Sequence, residues 1–178
     1  PWRRSTAGAK PRRSNCWPLL QGRDAPDCEY VAESLAVQRL RRRTAGRGHV
    51  QVFPAELTLE YDLAMANGPS RALVTAACQH RRLLLGVCDG DASAEQQALD
   101  VIAASGRGER SEIEEALDAV ADQREHVFAM LYCISVGSNK GAHASLLAAA
   151  MSERTDLQPP RYLVDAVHWV CGSDEAVT

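Results

Sequence analysis

Apolar residues first fall into a regular order after Asp27. Val31, Leu35 and Leu40 form a stripe that Asp27 can cap, and it ends in Arg39, Arg41, Arg42, Arg43 and then Gly46. An oxygen-bearing cap, a basic last turn and a trailing glycine predict a helix. A second helix is expected from near Pro54 through Leu57, Tyr61, Leu63 and Met65 to the stop Asn67-Gly68-Pro69. Ser70 can cap a third, with Leu73, Val74, Ala77, Leu83 and Leu84 before Gly86. Ser93 with Gln96 and Ser111 with Glu114 have capping-box spacing and open a fourth and a fifth helix, carrying Leu99, Val101 and Ile102, then Ile113, Leu117 and Val120. The sixth spans about 125 to 136 with Val127, Met130, Leu131 and Ile134, and the break Gly137-Ser138-Asn139 separates it from a seventh ending near Arg154. The eighth follows Pro159-Pro160 with Leu163, Val164, Val167 and Val170. Eight short helices with short connections predict an all-α, antiparallel series.

Composition agrees, because 28 alanines against nine aromatic residues favour helix over sheet. At 178 residues the chain is long enough for one domain with its own core. Charge divides it more sharply. Residues 1–23 carry Arg3, Arg4, Lys10, Arg12, Arg13 and Arg23 and no acid, so the remaining 155 residues sum to −9. Residues 1–27 lack apolar periodicity and are expected to form an extended basic arm, with residues 28–178 the helical domain. The arm's Arg-, Ser- and Pro-rich composition is like the end of an organelle transit peptide. No uncharged apolar run approaches the roughly 20 residues that span a bilayer, so no direct membrane insertion is expected.

Candidate chemistry is sparse. The six cysteines are 12, 50, 10, 45 and 38 residues apart, and no CxxC pair supplies a short zinc-ligand spacing. Free thiols in a reducing compartment, used as small apolar fillers, fit best. Asp89, Asp91, Ser93 and Asp100 fall at calcium-loop places, but the central glycine and the closing glutamate are missing. The five histidines form no HExxH pair, and the glycines of AGRGH and SGRGER match no phosphate-binding loop. Cys133 with His126 or His143 is the one conceivable nucleophile pair, at a spacing that helices produce by chance. The arginine run at 39–43 suits a solvated helix end, with a phosphate or acidic partner as the alternative. No catalytic residue, metal or cofactor is expected.

A repeat emerges at the second half. Leu99-Asp-Val-Ile102 and Leu131-Tyr-Cys-Ile134 stand 32 residues apart, each before a Gly/Ser break and a second helix. Residues 126–160 resemble the pentatricopeptide repeat, with Phe128 at the family's aromatic, Leu131 at its first-helix leucine, Ala144 at its small second-helix residue, Met151 at its late methionine and Pro159 near its closing proline. The resemblance implies a short right-handed solenoid of about four antiparallel hairpins, in which Ala144 lets paired helices approach closely. Members of the family commonly read single-stranded RNA; here the reading position is Ala129, which cannot hydrogen-bond a base, and the body is acidic. The other use implied is docking, as an accessory subunit of a large assembly in the mitochondrial matrix or on the matrix face of the inner membrane. The expected partner is the α subunit of the ATP synthase catalytic head, with a mitochondrial ribosome or respiratory complex as alternatives. Because the terminal units of a solenoid keep an uncovered side, the expected contacts are Trp2, Arg12 and Trp17 on the arm and Tyr162 and Trp169 on the last helix.

Overall fold

The computed structural model describes residues 2–5, 28–31, 35–55, 58–105, 108–118, 120–137, 139–152 and 156–172. Two strands come first: β1 (Trp2–Ser5) pairs antiparallel with β2 (Cys28–Val31), Trp2 opposite Val31 and Ser5 opposite Cys28. The described residues from Leu35 onward are all-α: α1 (Leu35–Thr44), α2 (Leu59–Asn67), α3 (Arg81–Asp89), α4 (Ala92–Ala104), α5 (Arg110–Leu117), α6 (Gln123–Val136), α7 (Lys140–Ser152) and α8 (Arg161–Cys171).

Local chemistry moves several boundaries from the expected ones. The first helix begins at Leu35 rather than beside Asp27, because Cys28-Glu-Tyr-Val31, with its aromatic and β-branched residues, pairs as a strand. The second begins past Pro54, where Thr58 in an extended conformation accepts a hydrogen bond from the Tyr61 N–H at 3.3 Å. Leu57 lies outside the described residues. The largest difference is at the third helix. Residues 71–80 are turns, in which Ser70 Oγ accepts from the Ala72 N–H and Thr75 Oγ1 from the Ala77 N–H, each at 3.3 Å. Such side chains offer the backbone an alternative to the helix, and α6 captures the released donors: Gln79 N–H donates to Ser135 O at 3.1 Å and His80 N–H to Ser135 Oγ at 3.3 Å. α3 then runs past Gly86 to a left-handed Gly90 (φ 73°), with Asp91 N–H closing on Gly86 O at 3.0 Å.

The caps of α4 and α5 sit two residues earlier than their spacing suggested. Asp91 accepts from the Ser93 N–H at 2.9 Å, while Ser93 Oγ takes the Gln97 amide instead. Glu109 opens α5, its N–H donating to the Glu112 carboxylate at 3.2 Å.

α6 is the centre of the body. Val127 through Cys133 are all buried, as are Ser135 and Val136, so this helix is covered on every side. It packs against α2, α3 and α4, while α3 also meets α4, and α4 meets α5. In this arrangement α2 reaches α6 across three intervening helices, and α6 lies enclosed among its neighbours. A helix apolar all round is stable only in such a position. Its first turn is tied down by Arg124, whose Nε donates to Val87 O at 2.7 Å at the carbonyl end of α3. The close helix approach lies at Gly86, where a Cβ would stand 2.5 Å from that of Ala94. Ala144, expected to permit such an approach, is exposed on α7.

α7 contributes only His143 and Leu147 to the interior, and α8 buries no residue. The segment between them is anchored by Asn67, whose amide exchanges two hydrogen bonds with the Gln158 backbone at 2.7 and 2.8 Å. Leu157 and Pro160 are buried beside that clamp.

Candidate docking site

α8 follows from its sequence locally: Pro160 sets the entry and Arg161 pairs with Asp165 one turn on at 2.9 Å. A left-handed Gly172 (φ 67°) closes it with its N–H on the last carbonyls. Its placement is unusual. Leu163, Val167 and Val170 are 39%, 59% and 75% exposed and lie at i, i+4 and i+7, so an apolar stripe points away from the body. An amphipathic helix ordinarily turns that stripe inward.

On the flank of α8, Trp169 packs against Phe53, ring centroids 6.2 Å apart and tilted by 59°. Trp169 also walls a cleft of about 460 Å³, whose other sides are Arg41 and Thr44 from the end of α1 and Gly46, Arg47 and Gln51 from the turn that follows. Thr44 Oγ1 donates to Leu40 O at 3.1 Å and Arg41 O at 3.2 Å, which quiets the carbonyl end of α1. Tyr162 is half-buried, and its phenol is pushed up by burial and by the nearby Asp62 and Glu60 carboxylates.

Of the expected contact residues, Tyr162 and Trp169 thus share α8, and Trp2 lies on β1. Arg12 and Trp17 lie outside the described residues. Sequence reasoning missed the outward stripe and the Phe53–Arg47 turn. The stripe marked the helix correctly, but a periodicity does not say which way it faces.

Apart from this surface, the body holds a buried polar cluster built on His143 of α7. Its Nε2 meets Tyr132 Oη at 2.5 Å and its Nδ1 meets Thr75 Oγ1 at 2.8 Å, with Cys78 Sγ 3.7 Å from Nδ1. With the Tyr132 hydroxyl donating to Nε2, the Nδ1–H donates to Thr75, so a neutral imidazole is satisfied on both sides. The thiol beside His143 is therefore Cys78 rather than Cys133, which meets Thr58 Oγ1 at 3.5 Å, while His126 Nδ1 meets Tyr61 Oη at 2.8 Å. Cys78 is 5% and His143 3% exposed, so this pair has no open face for a substrate. Cys78, Cys88, Cys133 and Cys171 are free thiols, and burial pushes the Cys88 thiol up to about 11, which leaves it protonated at neutral pH. Among the described residues no group of three or more His, Cys, Asp or Glu converges to hold a metal ion, and no helix is long and apolar enough to cross a membrane.

The cluster fixes two expected results. Burial holds His143 below its ordinary 6.5, against a weaker opposing pull from Glu60. A histidine with a lowered folded pKa binds protons better when unfolded, so its stabilising contribution is complete above 6.5 and declines as pH falls below that value. Glu60 acts in a separate window. Burial pushes its carboxyl up, but the Lys140 ammonium at 2.7 Å and hydrogen bonds outweigh this and leave it below 4.5. Thermal melts across pH will therefore start to fall below about 6.5, and His143→Gln will flatten that first limb while leaving the one below 4.5. Tyr132→Phe leaves His143 Nε2 without its donor and will cost about 1–3 kcal/mol in urea unfolding.

No protein-family model, curated protein or solved structure matches the chain.

Proposed function

We propose that this chain is a non-catalytic accessory subunit that docks through α8 onto a larger mitochondrial assembly, most specifically onto the α subunit of the ATP synthase catalytic head. One observation carries the docking: a helix that buries none of its residues turns Leu163, Val167 and Val170 to solvent along one line. Contiguous apolar surface of this kind is a mark of protein association, because covering it with a partner removes it from water.

The mitochondrial assignment draws on the basic, proline-rich composition of residues 1–27. The particular assembly draws on likeness in size and arm composition to the accessory subunit that euglenozoan ATP synthase carries on its catalytic head, a pentatricopeptide-like protein. In this reading α6 and α7 make up one pentatricopeptide-like unit, with the other hairpins forming the rest of a short solenoid, and α6 ties that unit into the body. A mitochondrial ribosome or respiratory complex would use the same face. The RNA reading fares worse, since Ala129 at the reading position is 0% exposed in α6 and no base can reach it.

Val167→Asp tests the docking. The side chain is 59% exposed, so folding stability will change by no more than about 0.5 kcal/mol. Wild-type chain will sediment with a large complex and the variant will remain behind at an unchanged melting temperature. Equal sedimentation of the two removes α8 as the docking element.

A further inference from the structure

α7 is lightly held. Of its 13 residues only His143 and Leu147, one turn apart, are buried, whereas α6 buries nine. Met151 is half-buried against the core, and α7 takes no part in the extensive pairings that join α2, α3, α4, α5 and α6. Segments with little buried apolar surface are the ones that open while the rest of a domain stays folded. His143 is therefore a large share of what closes α7. Its ring lies edge-on against Tyr132, centroids 5.2 Å apart and planes at 71°, and its two nitrogens reach both α6 and the turn at 71–80.

That anchor works while the imidazole is neutral. A second proton goes to Nε2, where it displaces the Tyr132 hydrogen from its acceptor and sets a full charge at a side chain only 3% exposed. The charged and titratable groups around it offer little in return. Glu60 of α2 is the carboxylate that pulls on His143, and it is already engaged with Lys140 at 2.7 Å. Lys140 itself stands one turn before His143 on the same helix, where a like charge opposes protonation. Cys78 of the turn and Tyr132 and Cys133 of α6 complete these surroundings, and none of them is a carboxylate.

We infer that α7 is a proton-sensitive flap: residues 140–152 swing off the body as one unit when His143 takes up a proton, while α6 and the helices packed on it stay folded. The two ends fit such a movement. Gly137 stops α6 before the flap, and beyond it the Asn67 amide holds the Gln158 backbone through bonds that contain no titratable group. α8 keeps that anchor, so the inference stands whether or not α8 docks on a partner. The opened flap bares Leu147 together with Thr75, Cys78 and Tyr132, a surface that is closed to partners at neutral pH. The sign follows from burial, which holds His143 below 6.5 in the closed state, whereas opening restores the ordinary value. Opening is therefore favoured as pH falls below 6.5, by at most about tenfold per pH unit for one proton.

The test is native-state amide hydrogen exchange on the full chain from about pH 7.5 to about pH 5.5 in low urea, each rate divided by that of unstructured peptide at the same pH. Amides of residues 144–152 are expected to open at least about tenfold more often than those of residues 127–136, with a much weaker dependence on urea, which marks local opening. Their opening is expected to rise as pH falls below about 6.5 in the wild type and to stay level in His143→Gln. Should that variant fold poorly, the ring-proton resonance of His143 in the wild type decides, with a midpoint below 6.5 at the pH where the rise in α7 opening levels off. Equal opening and equal urea dependence of α6 and α7 overturns the flap. Opening of α7 that ignores pH, a rise that persists in His143→Gln, as His126 on α6 would cause, or a His143 midpoint at or above 6.5 overturns His143 as its latch.

Discussion

Phe128→Ala will lower the unfolding free energy by about 3–5 kcal/mol. Phe128 is 0% exposed on the helix that every major contact of the body involves or adjoins, and its ring stacks on Tyr132 with centroids 6.0 Å apart and planes 15° from parallel. Truncation forfeits the transfer free energy of the ring and leaves a hole that α2, α3 and α4 cannot close, because each is held by its own contacts to α6. A domain of ordinary stability has only about 5–15 kcal/mol to lose, so the variant will stand near the threshold of folding. The check is equilibrium urea denaturation, in which the midpoint will fall sharply with little change of slope. A midpoint within error of wild type would show that α6 is not the centre of the core.

Gly86→Leu is the second, and its sign is the informative part. At an open helical position glycine to leucine gains about 0.5–1 kcal/mol, because glycine is a poor helix former. Here even a Cβ would meet that of Ala94 at 2.5 Å, so α3 and α4 must separate or the side chain must leave its rotamer. Overpacking of this kind costs about 1–3 kcal/mol, and the expected outcome is a net loss in thermal and urea melts. Ala94→Gly introduced with it will restore part of that loss, a coupling that distant sites would not show. A gain in stability for Gly86→Leu alone would mean that the two helices do not cross at this point.

These two residues also show what was legible in the sequence. The stretch His126-Val-Phe-Ala-Met-Leu-Tyr-Cys-Ile-Ser-Val136 was readable as a helix, and its apolar character on all sides already marked a buried one. Read as the first helix of a repeat, it did not reveal that α2 and α4 pack around it. Gly86 looked like a stop because glycine commonly ends helices, yet the same residue serves a close helix approach. The turn at 71–80 could not be read locally, because its donors are taken by Ser135, more than fifty residues away in the chain. Thr75, Cys78, Tyr132 and His143 likewise come together only through the fold. Tyr162 and Trp169 were expected as contacts on an argument about topology, that the end unit of a solenoid keeps an uncovered side, and not on local propensity.

The docking account depends on the outward stripe of α8, and the size of the protein in its native surroundings bears on it most directly. Gently prepared mitochondrial extract, separated by sedimentation and probed for this chain, is predicted to show it wholly within a large assembly that persists in high salt. Sedimentation as a monomer under the same gentle conditions would contradict the account.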